Sequence, residues 1–411
     1  MGAGGGAVDD AAVESAIVAA LSGADPDPQR AAALLVAHGF PVERARRAVF
    51  DAVAALNRRL FPPLSKLELL LAEGCNMACA YCFEHAILTD GARRRRVMSH
   101  ATIARAVDLV VAYAQPGAEI DVTLFGGEPT LAMDGVRFAV ETVTTRCAEN
   151  DLACRFAMTT NGLLLDAATI ETCVSRNVKI LLSVDGLAPS HDAYRRDKQG
   201  HGTFDAVLGA LKRLKALQPW IGVKMTIMPS EAGRLFDNVR GLHDLGVNQF
   251  LIGRATGVAW PSTARDALAS EMTRLGRWIA ERPRHDLVVD GFSNPSAPGV
   301  FGCGAARQGI AVNVAGEVSG CARILSLDSG RVVGKLGDVA FGLYRWEARA
   351  EMISCAQLRA HCVADGLDAA YLGGCFAVNY EDTGDLYRPS RVEQEMLGLL
   401  EAARAPFVGA A

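Results

Sequence analysis

The chain has 411 residues, half of them hydrophobic and 21% charged, which is enough apolar material for a sizeable core and argues against disorder. Its formal net charge of −4 is too close to neutral for a nucleic-acid or membrane-surface protein. No apolar run long enough for a membrane span occurs, and the start, Met1 to Gly6, lacks the basic and apolar regions of an export signal, so the cytoplasm is expected.

Residues 8–22, 28–38 and 41–60 read as short amphipathic helices punctuated by Pro26, Pro28 and Pro41. From about 65 the texture changes. Apolar runs at 66–72, 120–125, 155–159, 178–184, 221–228 and 248–252 alternate with helical stretches at 99–115, 134–150, 166–176, 203–217 and 231–245. Strands alternating with helices predict parallel βαβ units, here an α/β fold forming a partial barrel of about six units, with functional groups at the carboxyl ends of the strands. Residues 262–283 read as a further helix, and 286–390 as a loop-rich segment that needs cross-linking to be ordered. The expected organisation is a helical segment 1–64, a barrel 65–285, a cysteine-bearing region 286–390 and a C-terminal helix or tail 391–411.

Eleven cysteines in a long chain with no export signal point to buried thiols, metal ligands or catalytic groups rather than disulfides. Cys147, Cys154 and Cys173 lie scattered among apolar or helical residues and read as plain thiols. The other eight form two groups. In the first, Cys75, Cys79 and Cys82 have the spacing C-x3-C-x2-C directly after the first predicted strand. Three thiolates in one loop suit a [4Fe–4S] cluster and leave one iron open, as catalytic metal sites do. Cys79 and Cys82 alone would also fit a redox pair or half of a zinc site.

This loop, with Tyr81 just before its last cysteine, resembles the radical S-adenosylmethionine (SAM) superfamily. The resemblance implies that the amino and carboxylate groups of SAM chelate the open iron, and that one electron then breaks a carbon–sulfur bond to give a 5′-deoxyadenosyl radical. It also matches further strand ends to the SAM site. Gly126, Gly127 and Glu128 look like the methionine-binding segment, Ser183 and Arg195 are candidates for the SAM carboxylate, and Asn161 for the ribose or its surroundings. The choice between Arg195 and Arg196 stays open.

The second group, Cys303, Cys321, Cys355, Cys362 and Cys375, resembles a reduced form of the auxiliary-cluster domain called SPASM, with Gly373-Gly374-Cys375 near its close. A complete domain carries seven cysteines for two clusters. Five favour one auxiliary [4Fe–4S] cluster, the arrangement called a twitch domain, with Cys303, Cys321 and Cys375 as ligands and either Cys355 or Cys362 as a fourth, or with an open site. A zinc ribbon or free thiols are the alternatives.

Relatives with such a domain are oxidoreductases that mature ribosomally made peptides and proteins. The resemblance therefore implies a precursor peptide as substrate, an electron donor such as flavodoxin or ferredoxin, and room for a separate leader-peptide-binding protein. Sulfatase-maturing members carry an Asp that serves as the base directly after the cysteine matching Cys321, where this chain has Ala322. That weakens the formylglycine-forming alternative. A small-molecule radical SAM oxidoreductase is the other one, and the substrate base is not identified. The run Arg93 to Arg96 reads as a solvated face or as a contact for an acidic leader peptide.

Overall fold

The computed structural model describes residues 17–21, 26–83, 96–282, 286–290, 292, 303–327, 333–367 and 374–407. The expected helix 8–22 (apart from 17–21), the first glycines, Arg93 to Arg95 and Gly373 lie outside them.

The six predicted strands form where the apolar alternation places them: β1 (Lys66–Ala72), β2 (Glu119–Gly126), β3 (Ala153–Thr160), β4 (Val178–Ser183), β5 (Gly222–Ile227) and β6 (Gln249–Arg254). Each pairs in parallel with the next. β2 shows the logic. Ile120, Val122 and Leu124 are buried, whereas Asp121, Thr123 and Phe125 are only half-buried and line hollows of the barrel. The intervening helices supply the apolar cover, for example Ile103, Val107 and Val110 of His100–Tyr113 and Val136, Val140 and Val143 of Met133–Glu149. A short helix not anticipated from sequence, Ala188–Tyr194, follows β4.

The sheet does not close. A two-residue strand, β7 (Val288–Val289), adds to the β6 edge. At the other edge the region expected to be loop-rich contributes β8 (Gly309–Val312), β9 (Glu317–Ser319) and β10 (Lys335–Asp338). β8 lies parallel to β1, and the full order is β10-β9-β8-β1-β2-β3-β4-β5-β6-β7. The β8–β9 hairpin turns on Asn313, whose Oδ1 accepts the N–H groups of Ala315 and Glu317 at 3.0 Å each, and on Gly316 at φ +80°. Its return brings Cys321 beside β1.

Arg349, fully buried, ties three segments together. It donates to the carbonyl of Ala306 (3.0 Å), to Asn57 Oδ1 (2.8 Å) and to the carbonyl of Pro62 (3.0 Å). The N-terminal helix Val42–Leu60 is thereby fastened to the cysteine-bearing region. Among the described residues no helix is long and apolar enough to cross a membrane.

Candidate active site

The loop leaving β1 is strapped to the segment after Ala188–Tyr194. Ala78 N–H donates to the Arg196 carbonyl (2.9 Å), Ala80 N–H to the Tyr194 carbonyl (3.1 Å), and Met77 bridges Asp197. Between these ties Cys75, Cys79 and Cys82 line one cavity of about 460 Å³ at the carboxyl ends of the strands. A larger hollow of about 1070 Å³, lined by Lys66, Asp121, Arg155 and Lys179, holds no cysteine of either group.

Gly126 and Gly127 are needed for a backbone seam. Gly126 has φ +124°, and a Cβ there would lie 2.4 Å from the Ala72 carbonyl oxygen; at Gly127 it would lie 2.4 Å from that of Gly74. The seam is bonded by Gly127 N–H to Ala72 O and Glu128 N–H to Gly74 O, both at 2.8 Å. These glycines, matched from sequence to a methionine-binding segment, hold the cysteine loop against β2. The Glu128 carboxylate is buried and accepts from four donors: Thr130 N–H (3.0 Å), Thr130 Oγ1 (2.6 Å), Thr160 Oγ1 (2.7 Å) and Asn161 N–H (2.8 Å). Burial raises its pKa, against those hydrogen bonds. With its oxygens so engaged, it braces the ends of β2 and β3. Asn161 Nδ2 in turn donates to Asn76 Oδ1 (2.7 Å) and approaches Cys75 Sγ (3.7 Å).

Ser183 ends β4 and lines the cavity. Of the two arginines left open, Arg195 enters it; exposed Arg196 turns back to the carbonyls of Asp192 and Gly200. Asp185 holds Arg195 through a 2.9 Å ion pair, takes the Tyr81 hydroxyl on the same oxygen, and accepts Thr226 N–H on the other at 2.8 Å. Arg195 Nη1 then stands 3.9 Å from Cys79 Sγ. Burial raises the Cys79 pKa, and the Arg195 charge partly offsets this. From sequence, Asp185 belongs to a ring of small polar groups at the strand ends but has no role of its own, and Glu68, Lys224 and Arg254 are not singled out, because a polar side chain inside a strand carries no spacing signal of its own.

The second cysteine group gathers partly at the same cavity. Cys321 lines it together with the first three thiols. Burial raises Cys303 to about 11, and the thiols of Cys375 and Cys355 add to the rise. Cys321 is raised further by burial, with Cys375, Glu68 and Cys303 contributing. Cys362 is fully buried in Ala356–Ala364; burial first and then the Asp365 charge raise its pKa.

Both thiol groups fit iron–sulfur clusters. In the second group Cys303 and Cys321 are raised in part by neighbouring thiols, which would repel one another as bare thiolates, and iron relieves that cost; in the first, three thiols on one loop line one cavity. Among the described residues no three His, Cys, Asp or Glu side chains stand close enough to hold a single ion.

An open parallel barrel with a three-thiol loop at its carboxyl face defines the class, an α/β barrel with a cluster-binding catalytic end. Residues 69–240 match the family model described as "Radical SAM superfamily". A cysteine-type anaerobic sulfatase-maturating enzyme of Clostridium perfringens is 29% identical over 157 residues, covering 38% of this chain and 41% of that protein. A GTP 3′,8-cyclase of Crocosphaera subtropica is 27% identical over 158 residues, again 38% and 41%. These matches thus span about two fifths of the relatives' length. Among solved structures, native anSMEcpe with bound AdoMet superposes with a TM-score of 0.64 at 18% identity, covering 84% of this chain and 98% of that one. SuiB of Streptococcus suis bound to its precursor peptide SuiA gives 0.59 at 15% identity, covering 87% and 82%. Over residues 69–240 the chain is therefore similar to the radical SAM superfamily, a likeness that supports SAM and a [4Fe–4S] cluster that binds it as the cofactors.

Proposed function

We propose that this chain is a radical SAM oxidoreductase that oxidatively modifies a residue of a ribosomally made peptide. One observation carries the reading: Cys321 of the second group lines the same cavity as Cys75, Cys79 and Cys82. Groups held by the two sets would then face a common substrate. The sulfatase-maturating relative and the peptide-bound SuiB structure support a peptide in that role.

Cys75, Cys79 and Cys82 would hold the first cluster. When bound, it supplies the electron that splits SAM into methionine and a 5′-deoxyadenosyl radical. Ser183 and Arg195 would take the SAM carboxylate, and the Gly126–Gly127–Glu128 segment with Asn161 would shape the rest of the SAM site. Cys303, Cys321, Cys375 and, by the charge it shares with Cys303, Cys355 would hold an auxiliary cluster. The position of Cys321 at the cavity wall supports this reading: a cluster held there could accept the second electron from the substrate. A flavodoxin or ferredoxin in the cytoplasm would deliver the first electron, and a separate protein would present the leader peptide.

Anaerobic reconstitution tests this. About eight irons per chain are expected, from two clusters of four. Cys79→Ala should abolish deoxyadenosine release under dithionite. Cys321→Ala should spare uncoupled release and lose peptide product. Normal product from the Cys321 variant would refute the auxiliary role.

A further inference from the structure

Four cations wall the cavity: Arg195, Lys224, Arg254 and Arg323. They form an arc in which each senses the next. Lys224 feels the charges of Arg195 and Arg323, and Arg254 feels that of Arg323. Like charges gathered in a partly dehydrated hollow repel one another unless anions answer them. Three of the four are answered by contact: Arg195 by Asp185, Arg254 by Glu393 and Arg323 by Glu381. Lys224 is different. It stands on β5 with its side chain exposed, and it lines the cavity. Among the described residues no carboxylate touches its ammonium. Glu68 acts on it only at longer range, and the Glu68 Oε2 is occupied by the Ala322 N–H at 2.8 Å.

We infer that Lys224 is a substrate-recognition residue that binds a carboxylate of the peptide beside the residue to be modified. This rests on the peptide reading of the same cavity and names what that peptide must carry: an acidic side chain or a free C-terminal carboxylate within reach of β5. The neighbouring guanidiniums, held by their own acids, add a positive field that draws the anion in without competing for it as direct ligands. One free ammonium in a pocket answers one carboxylate. Glu68, which lines the same cavity, disfavours a second.

Binding to the reconstituted protein with SAM and no reductant isolates recognition from turnover. The probes are N-acetylglutamate α-amide for the side-chain carboxylate, N-acetylglycine for the terminal one, and N-acetylglutamine α-amide as the neutral match, measured by calorimetry or ligand-observed NMR. One carboxylate should bind at least about tenfold tighter than the neutral amide, as expected for a charge-assisted hydrogen bond. Which carboxylate wins identifies its source. Lys224→Gln should erase the preference, Lys224→Arg should keep it, and both should bind SAM as the parent does. Equal binding of the neutral amide to the parent protein would overturn the inference even if the Gln variant fails to fold. So would a preference that survives Lys224→Gln, or a loss of SAM affinity in that variant, which would assign Lys224 to SAM instead. The peptide reading fails separately, if the parent protein releases deoxyadenosine but alters no peptide.

Discussion

Asp185, just beyond β4, and Arg195, just beyond the next helix, form a 2.9 Å ion pair with both side chains nearly closed to solvent. Asp185 also receives the Tyr81 hydroxyl, and the guanidinium lies over the Tyr81 ring at 5.5 Å. Two barrel turns therefore fix the cysteine loop through one carboxylate. Asp185→Asn leaves a buried guanidinium without its counter-charge, and losing one partner of such a pair costs about 3 kcal/mol or more. The urea midpoint of the Asn variant should fall accordingly, and Asp185→Asn combined with Arg195→Gln should lose less than the two single effects summed.

Gly127→Ala would place a Cβ 2.4 Å from the Gly74 carbonyl oxygen, an approach that only backbone movement relieves. The first casualty is the seam that holds the cysteine loop. Iron after reconstitution should drop by about one cluster of four, while far-ultraviolet circular dichroism stays near that of the parent. Gly233→Ala, with nothing within 4 Å of its Cβ, should keep full iron content.

His191 predicts an acid-sensitive site. Its Nδ1 accepts the Asp185 N–H (3.4 Å), which makes Nε2 the protonated nitrogen, donating to Thr203 Oγ1 at 3.0 Å. That hydroxyl donates in turn to the Arg195 carbonyl at 3.0 Å. Burial first, and then the Arg195 charge, push the imidazole down to about 3. The unfolded imidazole keeps a value near 6.5. Between those limits the unfolded chain binds a proton that the folded chain refuses, so stability falls as pH drops from about 6.5 toward 3. Thermal melts of the apoprotein should show this slope, and His191→Asn should flatten part of it. An unchanged slope would contradict a buried neutral imidazole.

Cys355 and Cys362 should separate cleanly. Cys355 lies at φ +53° between two helices, and its thiol contributes to the raised pKa of Cys303. Cys362 faces the interior of its own helix packing. Cys355→Ala should lower iron from about eight to about four per chain, and Cys362→Ala should leave it unchanged. The reverse pattern would move the fourth auxiliary ligand to Cys362.

The six barrel strands and the cysteine loop were legible because period-two apolar runs and close thiol spacing are local signals. β8 to β10 were not. They have at most four residues each, too few for periodicity, and they gain their place only by pairing with β1 and with one another. The choice between Cys355 and Cys362 depends on a left-handed residue at a helix junction, which spacing does not encode. Glu128 was singled out from its Gly-Gly-Glu segment, but its four donors, from three different residues on two stretches of chain, carry no local signal. The Asp185–Arg195 pair and the entry of Lys224 into the cavity depend on how the barrel brings separate strand ends together, which local spacing does not encode.

The account stands on an iron left open by Cys75, Cys79 and Cys82. Electron paramagnetic resonance of the dithionite-reduced protein, recorded before and after adding SAM, tests it most directly. The account predicts a reduced-cluster signal whose g-values shift with SAM and which Cys79→Ala removes. A spectrum that ignores SAM, or a colourless protein carrying zinc at that loop, would contradict it.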